Sequence, residues 1–253
     1  MNDPQQELFA NYARHYKKMG AYRDRLPDDL ERLKRDRLPA WIDTIPRNAR
    51  VLDVGCAEGH WLKALRRVGF SQLTGVELSA QLLESSRARL GDHAQLIQAD
   101  VRDWIKRAPA ASYDLIFFHD VLKNLPREET ISILREFHPL LAPAGKLRIR
   151  VPNLACLVGP FHQAIDFTHI TPFTEFSLLQ VLEAAGFSAS CVTYESQAPR
   201  LFWSWRRPHR ALLRLLNRLR WHLNRGVHRA VYLLNDYDMP RCYDTALVAL
   251  AHK

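Results

Sequence analysis

The chain has 253 residues, 47% hydrophobic, 10% aromatic and 25% charged, enough apolar side chain to bury a full core, which excludes a disordered or fibrous protein. Its apolar runs fall short of the roughly 18 residues that cross a bilayer, Met1 to Ala10 carry no signal-peptide core, and Cys56, Cys156, Cys191 and Cys242 form no C-x-x-C pair. A cytoplasmic chain in a reducing compartment, with no disulfide framework and no metal ligands, is therefore expected, and its net charge of +9 asks for an acidic partner.

Residues 4 to 45 read as helical, with Leu8, Tyr12, Tyr16, Leu26, Leu30, Leu33 and Leu38 among dense charge and an end near Pro46. This makes a helical N-terminal cap of residues 1–46, followed by one domain over 47–253. From Val51 the rhythm changes. VLDV leads to a helix over Trp61 to Val68, LTGVE to Ala80 through Leu90, AQLIQA to a short helix near Trp104, and YDLIFF to a helix from Thr130 to Leu141 before KLRIRVP. Such alternation predicts an α/β fold with parallel strands and crossover helices. A loop rich in Phe, His and Thr (Phe161 to Phe173) precedes a helix from Glu175 to Ala185 that Gly186 ends; SASCVTYE and TALVALAHK are the last two strands.

The charge sits between those two strands, where a short turn would suffice. Nine arginines (200, 206, 207, 210, 214, 218, 220, 225, 229) and no lysine or acid occupy residues 200–229; outside it 27 basic residues balance 27 acidic ones. Residues 198–236 thus form a basic helical insertion. On a helical projection Arg207, Arg210, Arg214, Arg218, Arg225 and Arg229 share one side, and Leu212, Leu216, Leu219, Leu223 and Val227 the other. With Trp203, Trp205 and Trp221, this suits an anionic membrane surface and an enzyme peripheral at the inner membrane face. Equally open is a helix whose leucines pack onto the domain while its arginines are solvated. Nucleic acid ranks third, since few aromatics are interleaved with the arginines.

VLDVGCAEGHW sets Gly55, Ala57 and Gly59 between an apolar strand and a helix, where a backbone turns sharply and approaches a ligand. Glu77 ends the next strand, 22 residues after Gly55, where a carboxylate can accept from both hydroxyls of a ribose, with Leu78 beside it. Asp100 and Val101 end the third strand at the same edge.

These residues resemble the first motif, D-x-G-x-G-x-G, of class I S-adenosylmethionine-dependent methyltransferases, here Asp53, Gly55, Ala57 and Gly59 with alanine in the middle. The resemblance implies a Rossmann-like seven-stranded sheet ending in an antiparallel strand pair, and S-adenosylmethionine as cofactor. It puts Asp53, Gly55, Cys56, Ala57 and Gly59 against the methionine part, Glu77 and Leu78 at the ribose, Asp100 and Val101 at the adenine, and His119 nearby. G-x-G-x-x-G is absent, which counts against NAD or FAD. LLAPAGKLRIRVPN is similar to the family's turn into its fifth strand, with Ala144 where glycine is usual, and Tyr12, His15 and Tyr16 suit either a lid or an ordinary apolar helix face.

Methyl transfer to a hydroxyl requires a base near the fourth and fifth strand ends. His119 and Asp120 follow the fourth strand; either they act there, or Asp120 caps the next helix and His119 packs against the adenine. The loop from Asp166 reads D-x-T-H and resembles a segment of sugar methyltransferases in bacterial surface-polysaccharide pathways. In it Asp166 can orient His169 as base, or Asp166 and Thr168 merely cap the loop. The expected acceptor is a sugar or glycan hydroxyl; another small molecule or RNA, or a non-catalytic adaptor given Ala57 and Ala144, are the alternatives.

Overall fold

The computed structural model describes residues 38–196, 198, 208–237 and 239–253, together with Leu8, Tyr12, Leu30, Leu33 and Lys34. The elements are β1 (Arg50–Val54), α1 (His60–Arg67), β2 (Gln72–Glu77), α2 (Ala80–Leu90), β3 (Gln95–Gln98), α3 (Val101–Trp104), β4 (Tyr113–His119), α4 (Arg127–Leu140), β5 (Leu141–Pro152), α5 (Gly159–Ala164), α6 (Glu175–Ala184), β6 (Val192–Tyr194), α7 (Pro208–Leu234) and β7 (Ala246–His252). The strands form one seven-stranded sheet in the order β3-β2-β1-β4-β5-β7-β6. β7 runs antiparallel to both neighbours and the other pairings are parallel; the parallel strands follow from the alternation and the antiparallel last pair from the family resemblance.

Central strands read as unbroken apolar runs because helices cover both their faces. One face packs Ile116, Phe118 and Ile149 against Leu134 and Phe137 of α4 and Leu178 and Leu182 of α6. On the other, Val51, Leu115 and Phe117 meet Leu62 and Leu65 of α1 and Leu83 of α2, with Leu33, Leu38 and Ile42 closing the layer. Leu8, Tyr12, Leu30, Leu33 and Lys34 are helical, but the cap does not continue as one helix to residue 45. It breaks at Leu38 and Pro39, and Ala40–Thr44 is a single 3-10 turn. Pro39 lacks an N–H and biases Leu38 away from helix. His15, Tyr16, Trp203 and Trp205 lie outside the described residues.

β6 is shorter than SASCVTYE suggests. Ser188 and Ser190 bond each other at 2.8 Å and Ala189–Cys191 winds into a 3-10 turn, so small hydroxyl side chains compete with the ladder. Near the start of β5, where its register with β4 shifts between Leu141 and Lys146, Ala144 takes φ +61, the left-handed conformation that glycine adopts freely.

The long helix α7 reverses the packing expected of a leucine face. It docks through Trp221, Arg225, His228 and Tyr232. Trp221 Nε1 donates to Asp244 Oδ1 at 2.6 Å, the Arg225 guanidinium lies 4.8 Å from the Trp221 ring and 5.4 Å from Tyr243, and Tyr232 donates to the Ala155 carbonyl at 3.0 Å. His228 is buried; its Nε2 accepts from the Leu157 N–H at 2.8 Å while Nδ1 donates to the Asn224 carbonyl. Leu212, Leu216, Leu219, Leu223 and Val227 stand exposed, so the reading in which the leucines pack onto the domain is corrected. Polar anchors at helical spacing choose the inward face.

Candidate functional site

After β1 the chain makes a turn in which Gly55, Ala57 and Gly59 have φ of +74, +46 and +72. The alternate small residues of D-x-G-x-A-x-G are thus the three left-handed positions. A Cβ on Gly55 would collide with the Val121 side chain, so the segment leaving β4 lies directly against this turn. Cys56 contributes only backbone here, because its thiol is buried against Gly75 and burial pushes its pKa far up.

The acids predicted to face a ligand are drawn into the protein. Glu77 Oε2 accepts the Ala57 N–H at 2.9 Å and Oε1 the Ser79 N–H at 2.8 Å, so the carboxylate ties the β1 turn to the β2 exit. Each oxygen keeps a second lone pair, and Leu78 beside it is exposed. Asp53 lies in the protein interior, its carboxyl pushed up to about 7 by burial and then by the charge of Glu77. Asp100 caps α3 through the Arg102 N–H at 2.8 Å and pairs with the Arg102 guanidinium at 2.6 Å. Burial works against its charge, but these bonds keep its pKa below the usual value. Val101 points into the core. Asp100 and Val101 are thus both tied into the local scaffold at the end of β3.

His119 is likewise engaged. Arg148 Nη1 reaches its Nε2 at 2.7 Å; arginine only donates, so that lone pair is occupied. Arg148 is held in turn by Glu195 at 2.8 Å, and Trp41 Nε1 donates to the same carboxylate at 2.7 Å. Burial first, then the charges of Arg148 and Arg150, hold His119 neutral with a pKa well below normal. This chain of Trp41, Glu195, Arg148 and His119 escaped sequence reasoning because its members are far apart in the sequence.

The two catalytic candidates of the sequence come together. Asp120 sits at φ +59 and, instead of capping a helix, pairs with Arg150 at 2.9 Å and with Lys123 at 3.7 Å. Ile170 and Thr171 both donate to the Lys123 carbonyl, at 2.8 and 2.9 Å, and Thr171 Oγ1 donates to the Leu125 carbonyl at 2.6 Å. The D-x-T-H loop is thereby pinned onto the segment leaving β4. Asp166 Oδ1 accepts from the Thr168 N–H and hydroxyl at 3.0 and 2.8 Å, which is the capping role. Its other oxygen, Oδ2, faces His169 Nε2 at 4.0 Å. His169 Nδ1 lies 3.0 Å from the His162 carbonyl, which only accepts, so Nδ1 carries the proton and Nε2 a lone pair. Burial, then the Lys123 charge, lower the His169 pKa against the pull of Asp166. Lys123, also buried, is a site residue that no motif announced.

A groove of about 620 Å³ opens at the opposite, amino edge among Arg50, Gln72, Gln95, Trp104 and Tyr113. Arg50 there is already paired with Asp114 at 2.9 Å, and the carboxyl edge remains the place where reactive groups converge.

The strand order, with antiparallel β7 between β5 and β6, and the small-residue turn after β1 define the Rossmann-like architecture of methyltransferases. The chain belongs to the methyltransferase domain family, whose model matches residues 19–192. It is 39% identical over 106 residues to a trans-aconitate 2-methyltransferase of Azoarcus sp., covering 42% of this chain and 40% of that one. To a ubiquinone biosynthesis O-methyltransferase of Xanthomonas axonopodis pv. citri it is 32% identical over 112 residues, 43% of this chain and 45% of that one. The chain thus spans less than half the length of these curated relatives, and neither acts, by its name, on a glycan. A SAM-dependent methyltransferase from Archaeoglobus fulgidus shares the fold, with TM-score 0.64, 19% identity and coverage of 96% and 99% of the two chains.

Proposed function

We propose that the chain transfers a methyl group from S-adenosylmethionine to an oxygen of a small acceptor, with His169 as the base. The observation that carries this reading is the pinning of the His169 loop onto the β4 exit, which itself lies against the glycine turn through Val121. The left-handed small residues let the turn's backbone approach the cofactor closely, Leu78 offers an exposed apolar side chain, and Glu77 keeps lone pairs for hydroxyls. The cofactor supplies a methyl already activated on a sulfonium. When the acceptor oxygen gains that methyl the S–CH3 bond breaks, the sulfur becomes a thioether, and the hydroxyl proton passes to His169 Nε2. Asp166 then faces the imidazolium and stabilises it.

The acceptor is read as a hydroxyl, that of a sugar or glycan by the likeness of the D-x-T-H loop. A carboxylate is the second reading. It is favoured by the trans-aconitate relatives and by Lys123 and Arg150 beside Asp120, and needs no base. Labelled methyl transfer to nucleotide sugars and to trans-aconitate, each with wild type and His169→Gln, separates them: a hydroxyl acceptor loses turnover with the imidazole and a carboxylate does not. Absence of heat with S-adenosylmethionine and its demethylated product would replace both by an adaptor. The arginine excess of residues 200–229 extends the reading to location, drawing the enzyme to an anionic membrane face.

A further inference from the structure

Two exposed apolar surfaces take no part in that chemistry. The first is the leucine face of α7. It lies on the helix side opposite Trp221, Arg225, His228 and Tyr232, with Leu223 exposed by 70% and exposed Arg220 at its edge, while Arg229 is exposed on the arginine side. The second belongs to the segment that carries His169. That segment turns its polar groups inward and its apolar groups outward: between buried Asp166 and Thr168, Phe167 is 86% exposed, and Phe161, in α5, is 62% exposed. Leu157, Ile165 and Ile170 are exposed as well. α7 is held beside the start of that segment through its opposite side, where the Leu157 N–H donates to His228 and the Tyr232 hydroxyl to the Ala155 carbonyl.

Building on the membrane reading of the arginine segment, we infer that the leucine face of α7 and the aromatic rim of residues 157–170 enter the interface of an anionic bilayer together, so that the mouth of the candidate site rests among the lipid headgroups. A bilayer fits better than a second copy of the chain, because exposed Arg220 edges the stripe and no acid lies between residues 200 and 235; two such faces would oppose like charges. The surface lies on the membrane rather than crossing it, since no described helix is long and apolar enough to span. Phe161 and Phe167 supply the buried apolar area and the arginines the attraction to anionic lipid.

The full chain sedimented with vesicles of phosphatidylglycerol and phosphatidylcholine is expected to bind, with little binding to phosphatidylcholine alone. Arg220→Gln and Arg229→Gln each weaken binding about fivefold, and Phe161→Ser and Phe167→Ser each about tenfold. Titration with S-adenosylhomocysteine in the absence of vesicles, giving unchanged heat, shows that these variants remain folded. Wild-type vesicle affinity in both phenylalanine variants overturns the rim as an insertion point, and equal binding to both vesicle types overturns the docking surface. A dimer that Leu219→Ser and Leu223→Ser dissociate assigns the leucine face to a second copy and also overturns it. Loss of the cofactor heat in the wild type removes the methyl-transfer reading while leaving the vesicle result to stand by itself.

Discussion

The two sides of the carboxyl edge differ in what their polar groups face. At the exits of β1, β2 and β3 the acids Glu77 and Asp100 point back into their own backbone, accepting from Ala57, Ser79 and Arg102. At the exit of β4 and in the loop of residues 166–171, Nε2 of His169 keeps a lone pair, with a carboxylate facing it at 4.0 Å. The first side is a preorganised frame and the second holds the group able to accept a proton. A carboxylate at a strand end therefore does not by itself mark chemistry; what its oxygens already bond decides that.

Removal of the base gives the largest expected effect. His169→Gln should lower kcat about 10²–10⁴-fold on a hydroxyl acceptor while leaving cofactor binding intact. If His169 is the base as proposed, it acts when neutral and its pKa is lowered, so the rate is expected to fall only as pH drops below the usual imidazole range, and the variant's residual rate should lack that limb. His119→Gln is the contrast. It takes a ring nitrogen from Arg148 and should show as a loss of stability, with no change in the pH limb. If His119→Gln abolished the limb and His169→Gln kept it, the roles assigned to the two histidines would be reversed.

The frame side is tested by Glu77→Gln. An amide offers one oxygen where the carboxylate offers two, so either the Ala57 or the Ser79 N–H loses its acceptor. Denaturant unfolding should show a loss of about 1–3 kcal/mol, and calorimetry a weaker cofactor interaction with no shift in the acid limb of the rate. Asp53 next to it predicts a pH dependence of the opposite kind to a surface carboxylate. Its folded pKa is raised to about 7, so the native state holds the proton more tightly than the unfolded chain. Its contribution is favourable in acid and is lost as pH climbs through the carboxylate range toward about 7. Asp53→Asn should flatten that decline in a Tm series, and an unchanged slope would assign it to other groups.

The alternation of parallel strands with crossover helices was legible because central strands buried on both faces must read as continuous apolar runs, and the small-residue turn because only small residues tolerate a left-handed backbone. The orientation of α7 was not. α6 and α7 are both leucine-bearing helices, yet α6 buries Leu178 and Leu182 while α7 exposes Leu219 and Leu223. Periodicity locates an apolar side but not its partner; for α7 the decision rests on Trp221 meeting Asp244 and His228 meeting Leu157, contacts made only after the chain has folded. Lys123 and the Arg148 to Glu195 pair were hidden for the same reason. Asp166, His169 and Asp120 could be nominated from their places at strand ends and in a motif, but which of their atoms remained available depended on neighbours far away in the chain.

Ala57→Gly carries the smallest effect and tests the frame at its one departure from three glycines. Ala57 holds φ +46, where a Cβ crowds the backbone at a cost of about 1–2 kcal/mol. Glycine removes that cost but gives the unfolded chain more freedom, which returns about 0.5–1 kcal/mol. The net expectation is a gain of a few tenths to about 1 kcal/mol, read as a small rise in Tm, with the Ala57 N–H still donating to Glu77. A fall in Tm would mean that the alanine methyl makes packing contacts worth more than the strain it imposes. Read beside Glu77→Gln, the sign of this change shows whether the turn is held in its left-handed shape by the carboxylate or by the side chains around it.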